Sequence, residues 1–156
     1  MPAKNLSSIQ HILVPTDFST CSNRALDLGL EFARLLNARL TLLHVVPLPV
    51  FAGAGAGMGE GIVIYTEQME EEARQMLAGY TQRVNDAGVA CETIVDHASP
   101  FQCILDHAEA SQVDLIVMGT HGHTGLQHML LGSVAEKVVR LAKCPVMVTR
   151  QPEEDA

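Results

Sequence analysis

The chain has little positive charge. Its 156 residues include 10 lysines and arginines against 18 aspartates and glutamates, which gives a formal net charge of -8. Non-specific binding to nucleic acid or to an anionic lipid surface requires a positive field, so this balance argues against both kinds of partner. It leaves open a small anion that is bound locally by backbone N–H groups.

The sequence also has no closely spaced cysteine pair and no long unbroken apolar run. Its four cysteines form no CxxC pair and no zinc-ligand spacing, so we expect free thiols in the cytoplasm. No charged segment followed by an apolar core opens the chain, so we expect no secretory signal. The most apolar stretch, residues 40–58, is interrupted by prolines and glycines, and we expect no membrane span there.

Strand-like and helix-like segments alternate along the chain. Hydrophobic residues make up 47% of it and charged residues 18%, which is typical of a globular protein, and its length predicts one domain over residues 1–156. Short apolar runs predict strands, and helical periodicity predicts the segments between them. This alternation predicts a parallel sheet with helices on both faces. The predicted strands are residues 9–14, 40–46, 89–96, 113–118 and 145–149. The predicted helices begin at 19 or 20, at 66, at 99 or 100 and at 133, and end at 36, 86, 110 and 142.

Two segments are expected to lie outside this pattern. Glycine alternates with other residues from Gly53 to Gly61. Ordering such a run costs much backbone entropy, so we expect residues 47–61 to form a mobile loop that is long enough to serve as a lid. Gly88 is expected to end the following helix in the left-handed conformation. Residues 151–156 are expected to form an acidic tail.

A glycine-rich loop after the fourth predicted strand is the best candidate for a site. Glycines fall at positions 119, 122, 125 and 132, and Ser133 is expected to cap the next helix. Such a loop brings backbone N–H groups close to an anion, and a helix N-terminus adds donors and a favourable dipole. In parallel sheets, ligands bind where the strand order reverses, and a reversal between strands one and four would place Asp17 opposite this loop. A turn that only connects strand to helix is an equally weighted alternative.

Better-known motifs do not account for this loop. The chain has no GxxxxGK[ST] segment, and no GxGxxG follows the first strand. No GxSxG elbow is present, so Ser133 is a poor candidate nucleophile. His121 and His123 straddle Gly122, but a tetrahedral zinc site needs more ligands than the nearby His128 supplies. Solvated loop histidines, or neutral donors to phosphate, are the better interpretations.

The spacing Gly119-x2-Gly122-x9-Gly132-Ser133 resembles the nucleotide-binding signature of the universal stress protein family. The resemblance implies a Rossmann-like, five-stranded parallel sheet in the order 3-2-1-4-5. It also implies a cytoplasmic homodimer that pairs through the last strand, at about residues 144–150. It further implies ATP or AMP bound in one subunit, with Mg or Mn held by the phosphates. The similarity extends to residues 12–19 (ILVPTDFS), 42–46 (LLHVV), 134–139 (VAEKVV) and 144–148 (CPVMV).

The family's binding residues transfer to this chain by position. The resemblance implies that Asp17 lies near the ribose and that the backbone of Val45 pairs with the adenine edge. Asp17 on its own would also fit an Asx turn or a helix cap. The implied ligand-contacting residues are Pro15, Thr16, Asp17, Val45, Met118, Gly119, Gly122, His123, Gly132, Ser133 and Val134.

The resemblance implies a stress-response protein whose main activity is nucleotide binding, with no catalytic residue assigned. A rival is a slow ATPase or a nucleotidyl-transferring enzyme of the same fold. That rival needs a base near the γ-phosphate and a metal clamp, and the obvious acid at the crevice is Asp17. A nucleotide-free dimerisation module is a third alternative.

Overall fold

A computed structural model of the chain describes residues 5–48, 59–122 and 131–150. A 3-10 turn (Leu6–Ser8) precedes the first strand. The strands are β1 (His11–Pro15), β2 (Arg39–Val46), β3 (Cys91–His97), β4 (Leu115–Gly119) and β5 (Val146–Thr149). The helices are α1 (Thr20–Leu36), α2 (Gly59–Asp86), α3 (Pro100–Ala110) and α4 (Ser133–Leu141). The strands form one parallel sheet in the order β3-β2-β1-β4-β5, which confirms the predicted fold class and strand order.

Local sequence signals set several helix boundaries. Helix α1 begins after Ser19, whose hydroxyl accepts the N–H of Ser22 at 3.2 Å. Gly88 follows α2 with φ +80°, the left-handed conformation expected of it. Ser99 occupies the N-cap of α3 with Pro100 next to it, but the Ser99 side chain makes no capping hydrogen bond.

The prediction of a loop over residues 47–61 is wrong at its end. Helix α2 begins at Gly59 rather than at Thr66, and residues 49–58, with most of the alternating glycines, lie outside the described residues. The first turns of α2 therefore contain Gly59 and Gly61. In the next turn Thr66 donates its hydroxyl to the carbonyl of Ile62 at 2.8 Å. Extending an existing helix costs little free energy, so α2 continues through both glycines. Packing does not require a glycine at either position, because a side chain at Gly59 or Gly61 would meet no atom within 4 Å.

Both faces of the sheet are buried. Alternate residues of β1 point to opposite sides, because side chains in a strand alternate. Ile12 and Val14 pack with α1 and α2, whereas Leu13 packs with α3 and α4. All three side chains are at most 1% exposed. Complete burial of each stabilises the fold by about 1.5–3 kcal/mol, and β1 is the central strand of the sheet.

Two further expectations from the sequence concern membrane-spanning segments and the state of the cysteines. Among the described residues, no helix combines the length and the apolar character that crossing a bilayer requires. The cysteines are free, and Cys21 and Cys103 are buried. Burial, helped by the nearby Asp96 carboxylate, raises the pKa of the Cys103 thiol to about 11. Cys103 therefore behaves as a small apolar side chain.

Candidate functional site: a crevice between β1 and β4

The chain leaves the two central strands in opposite directions. β1 leads into α1 on one face of the sheet, and β4 leads towards α4 on the other face. The strand order therefore reverses between the carboxyl ends of β1 and β4, as the sequence predicts. Open parallel sheets bind ligands at such a point, and we call this place the crevice.

Asp17 and Gly122 face each other across this crevice. A Cβ on Gly122 would lie only 2.3 Å from Asp17 Oδ2, so the glycine is what allows the carboxylate to approach the loop. Asp17 Oδ1 accepts the N–H of Ser19 at 3.0 Å, which is an Asx turn. The two interpretations of Asp17 are therefore compatible, because one carboxylate oxygen shapes the turn and the other points towards the crevice.

The turn that carries Asp17 is firmly held. Thr16 is buried, and its N–H donates to the carbonyl of Leu43 at 2.8 Å. The Thr16 hydroxyl accepts the N–H of Phe18 at 3.0 Å, and Phe18 adopts φ 64°. The Phe18 ring packs against His44 in a tilted arrangement, with 4.5 Å between ring centroids. A left-handed non-glycine residue persists only when its surroundings hold it, so Asp17 projects from a fixed turn.

Strand β2 extends past the end of β1. Pro15 is the last β1 residue in the ladder, and it pairs with Leu43. Backbone groups alternate in direction along a strand, so Val45 directs its N–H and C=O towards the space beyond Thr16. His44 Nδ1 donates to the Thr16 carbonyl at 2.8 Å, and burial lowers the pKa of His44 despite this bond. The Val45 backbone therefore borders the crevice.

The end of β4 packs tightly against the start of α1. A Cβ on Gly119 would lie 2.8 Å from Cys21 Sγ and 3.0 Å from the Cys21 carbonyl carbon. Thr120, which is 2% exposed, donates its N–H to the carbonyl of Thr149 at 2.9 Å. Sequence reasoning missed Cys21 and Thr120. A glycine at a strand end signals a close approach, but it does not identify the distant partner.

The N-cap of helix α4 lies one residue earlier than expected. Gly132, not Ser133, is the N-cap, with φ −70° and ψ 163°, and Ser133 is the first helical residue. The Gly132 N–H donates to the Thr120 carbonyl at 2.7 Å, and a Cβ on Gly132 would lie 2.9 Å from that oxygen. The glycine is thus needed for close approach and not for a left-handed φ.

The first turn of α4 presents backbone donors. Glu136 donates its N–H to the Gly132 carbonyl at 2.9 Å. The N–H groups of Ser133, Val134 and Ala135 precede that bond and have no acceptor within the helix. The Ser133 side chain is exposed at this end. A helix N-terminus with such donors attracts an anion.

The structure describes one of the two histidines that straddle Gly122, His121. His121 Nδ1 lies 3.0 Å from the Thr120 hydroxyl, whereas His121 Nε2 is closed to solvent and has no hydrogen-bond partner. His123 lies with residues 123–130 outside the described residues. Over the described residues, no group of three or more His, Cys, Asp or Glu side chains could hold a metal ion.

The predicted site residues that the structure describes gather at one edge of the sheet. Met118 is 5% exposed and packs with Val45 and Val134 in one apolar cluster. The edge thus combines a carboxylate, an apolar floor and backbone donors. The residues concerned are Pro15, Thr16, Asp17, Val45, Met118, Gly119, Gly122, Gly132, Ser133 and Val134.

Comparison with known proteins gives a consistent result. The model of the Universal stress protein family matches residues 8–150. Universal stress protein MJ0531 of Methanocaldococcus jannaschii is 36% identical over 145 residues, which cover 92% of this chain and 84% of the relative. Universal stress protein YxiE of Bacillus subtilis is 35% identical over 147 residues, which cover 89% and 97%. The structure of hypothetical protein MJ0577, also from M. jannaschii, superposes with a TM-score of 0.83 at 30% identity, covering 93% of this chain and 98% of the other.

Two solved structures of this fold contain a nucleotide. A universal stress protein in complex with cAMP superposes with a TM-score of 0.64 at 24% identity, covering 92% of this chain and 98% of that one. An Arabidopsis thaliana family protein with AMP bound superposes with a TM-score of 0.64 at 20% identity, covering 94% of each chain. At these identities the similarity concerns the fold alone. The family model spans nearly the whole chain and the relatives exceed one third identity, so the chain belongs to the universal stress protein family.

Proposed function

We propose that this protein binds an adenine nucleotide, ATP or AMP, in the crevice between β1 and β4. One observation carries the proposal: a carboxylate on a fixed turn, Asp17, faces a glycine loop that ends in the donor-rich N-terminus of α4. A carboxylate accepts hydrogen bonds from ribose hydroxyls and repels phosphate, whereas the helix N-terminus attracts phosphate. Charge alone therefore orients a nucleotide, with its sugar towards Asp17 and its phosphates towards α4.

Each predicted residue has a role in this orientation. Pro15 and Thr16 line the nucleoside pocket beside Asp17, and the outward-facing backbone of Val45 pairs with the adenine edge. Proteins of the same fold have been solved with cAMP and with AMP, so the fold accommodates an adenine nucleotide. Mg or Mn would be held mainly by the phosphates. Met118 and Gly119 lie beneath the sugar, and the phosphates are surrounded by Gly122, His123, Gly132, Ser133 and Val134.

Analysis of the purified native protein tests the proposal. Mass spectrometry of small molecules released on denaturation should detect adenine nucleotide in near-stoichiometric amount. Calorimetry with ATP, AMP and adenosine on nucleotide-free protein should show saturable binding. Failure to release a nucleotide, together with no heat of binding, would contradict the proposal.

We further propose that binding, rather than turnover, is the main activity, as in a regulatory module of a stress response. Asp17 is placed at the ribose and one of its oxygens is engaged with Ser19 N–H, so it is poorly placed to activate water at a γ-phosphate. Hydrolysis should be slow or undetectable. Turnover near a typical enzyme rate of about 10 s⁻¹ would favour the ATPase alternative. A cytoplasmic location fits the free cysteines.

A homodimer through β5 completes the proposal. β5 is an edge strand. The carbonyls of Pro145 and Thr149 accept hydrogen bonds from the β4 side, so the alternate residues Val146 and Val148 direct their backbone groups outwards. Unpaired edges invite another strand, and antiparallel pairing of residues 144–150 about a two-fold axis satisfies both copies at once.

The Val148→Lys substitution tests this interface. Val148 is 37% exposed, whereas Met147 packs on the core, so only the former can be changed without disturbing the fold. Two like charges near the axis should weaken the dimer about tenfold or more in light scattering. Val139→Lys on α4, which is 45% exposed, is the matched control and should leave the dimer intact. A wild type that is monomeric at micromolar concentration, or a fully dimeric Val148→Lys variant, would exclude this interface.

A further inference from the structure

His121 carries a ring nitrogen that the protein leaves unsatisfied. Its Nε2 atom is buried and has no hydrogen-bond partner among the residues that the structure describes. Buried polar groups nearly always have a partner, so such an atom marks strain or a place that a ligand completes. The other such atom in the described part of the chain, His97 Nδ1, lies on the edge strand β3. His121 instead lies within the glycine loop of the crevice.

The neighbours of His121 determine which ring nitrogen carries the proton. The Thr120 hydroxyl lies 3.0 Å from His121 Nδ1 and 3.8 Å from Cys21 Sγ. The Cys21 thiol has its own acceptor, the Thr149 carbonyl at 3.3 Å. Because Nδ1 is both the nearer and the stronger acceptor, the Thr120 hydroxyl donates to it. Neutral His121 then carries its proton on Nε2, and the unsatisfied atom is an N–H donor.

This donor lies beside the N-terminus of α4. Ring atom Cδ2, which is bonded to Nε2, is 3.9 Å from the position that a Cβ on Gly132 would take. The Gly132 N–H is itself tied to the Thr120 carbonyl at 2.7 Å. Thr120 therefore fixes both the ring of His121 and the start of the helix. The buried Nε2–H group therefore lies close to the start of α4, whose first turn carries the backbone donors.

We propose that His121 Nε2 donates a hydrogen bond to a phosphate oxygen of the bound nucleotide and so makes the site prefer nucleotides to nucleosides. This inference rests on the proposed function and adds one side-chain donor to the backbone donors of the loop. Thr120 is a positioning residue, because its hydroxyl holds the proton on Nε2 without contacting the ligand. A hydrogen bond to a charged group contributes about tenfold or more to affinity.

Two matched substitutions at His121 separate the ring nitrogens. In His121→Asn the amide takes the place of Nδ1, which keeps the contact with Thr120 and removes the phosphate donor. In His121→Gln the amide nitrogen reaches the place of Nε2, which keeps a donor there. Calorimetry with AMP and with adenosine should show that the Asn variant binds AMP about tenfold or more weakly and binds adenosine as the wild type does. The Gln variant should retain most of the AMP affinity.

Two outcomes distinguish this inference from the proposed function. If the wild type binds neither AMP nor adenosine, both are wrong. If the wild type binds AMP and His121→Asn binds it equally well, or loses AMP and adenosine affinity alike, only the role of His121 is wrong. Thr120→Val should lower AMP affinity partly by freeing the tautomer, and Thr120→Ser should restore it.

A measurement on the unaltered protein guards against variants that do not fold. Nitrogen NMR of wild-type protein labelled at histidine should show Nε2 of His121 protonated before ligand is added. AMP should shift its resonance, and adenosine should leave it nearly unchanged. Saturation with AMP without such a shift would overturn the proposal.

Discussion

The two ends of the central strands treat their polar groups differently. At the amino end, Asp114 Oδ2 accepts the N–H groups of Gln10 at 3.0 Å and His11 at 3.1 Å. His11 is 4% exposed, and both of its ring nitrogens have partners, the Thr41 hydroxyl at 2.8 Å and the Ser111 carbonyl at 3.2 Å. At the carboxyl end, His121 also lies against a threonine, but its second ring nitrogen has no partner.

If the proposed function is right, this difference separates stability from binding along one pair of strands. At the amino end, Asp114 and His11 have hydrogen-bond partners within the protein, and these bonds stabilise the fold. At the carboxyl end, His121 Nε2 has no partner among the described residues and the first N–H groups of α4 have no acceptor within the helix, although leaving a buried donor unsatisfied costs about 1–3 kcal/mol. Such a cost is expected where a ligand supplies the missing acceptor. Substitutions at the two ends should therefore affect different measurements.

The largest effect is expected from Gly132→Ala. The added Cβ would lie 2.9 Å from the Thr120 carbonyl oxygen, and because both groups are backbone the start of α4 must move. Several donors would shift together, so nucleotide affinity measured by calorimetry should fall by on the order of a hundredfold. Gly122 is a less specific test, because a side chain there would meet Asp17.

Gly79→Ala is the matched control for Gly132→Ala. Gly79 lies on α2, and a Cβ there would meet no atom within 4 Å. Alanine should leave nucleotide affinity unchanged and raise the free energy of unfolding by about 0.5–1 kcal/mol. Equal affinities for the two variants would show that the start of α4 is not part of the binding site.

Asp114→Ala should lower stability without altering binding. It leaves the N–H groups of Gln10 and His11 without their acceptor, so the free energy of unfolding should fall by about 2–4 kcal/mol in urea titrations. The folded fraction should still bind nucleotide with wild-type affinity, since the crevice lies at the opposite end of the strands. A tenfold loss of affinity with stability retained would remove the distinction between the two ends.

Asp17→Asn should show the reverse pattern. The amide oxygen can still accept the Ser19 N–H, so the free energy of unfolding should change by less than about 1 kcal/mol. Loss of the charge should weaken the bond to the ribose, and affinities for AMP and adenosine should both fall about tenfold. The loss of adenosine affinity distinguishes Asp17→Asn from His121→Asn. Unchanged adenosine binding would remove Asp17 from the sugar site.

The sequence predicts the fold better than it predicts the site. Continuous apolar runs such as that in β1 indicate strands buried on both faces, and the alternation with helices then fixes the class of sheet. Glycine spacing predicts that a loop faces Asp17. Cys21 contacts Gly119, and the Thr120 backbone is hydrogen-bonded to Thr149 and to Gly132. These contacts join residues distant in sequence, and no local pattern encodes them. The start of α2 differs from prediction because helix propagation outweighs the preference of isolated glycines for loops.

The smallest effect is a pH dependence of stability that comes from both ends. Burial lowers the pKa of His11 at the amino end and of His44 at the carboxyl end below the ordinary value of 6.5. Below pH 6.5 the unfolded chain therefore binds protons that these two folded histidines do not, so the stability present above that pH is lost as the pH falls through the folded pKa values. Glu70 and Asp96, whose pKa values are lowered chiefly by hydrogen bonds from Arg74 and His107, act only in a more acidic range.

Urea titrations from about pH 7.5 to about pH 5.5 should show the free energy of unfolding falling steadily towards acid. In His11→Gln the amide still reaches Thr41 while the titrating group is lost, so the variant should be less stable at every pH but should show a shallower slope. His44→Gln should reduce the slope in the same way, and it should also disturb the turn that carries Asp17, since His44 donates to the Thr16 carbonyl. Nucleotide affinity should therefore fall in the His44 variant and not in the His11 variant. A slope that is flat or of opposite sign in the wild type would contradict neutral burial of these histidines, and equal affinity losses in both variants would contradict the separation of the two ends.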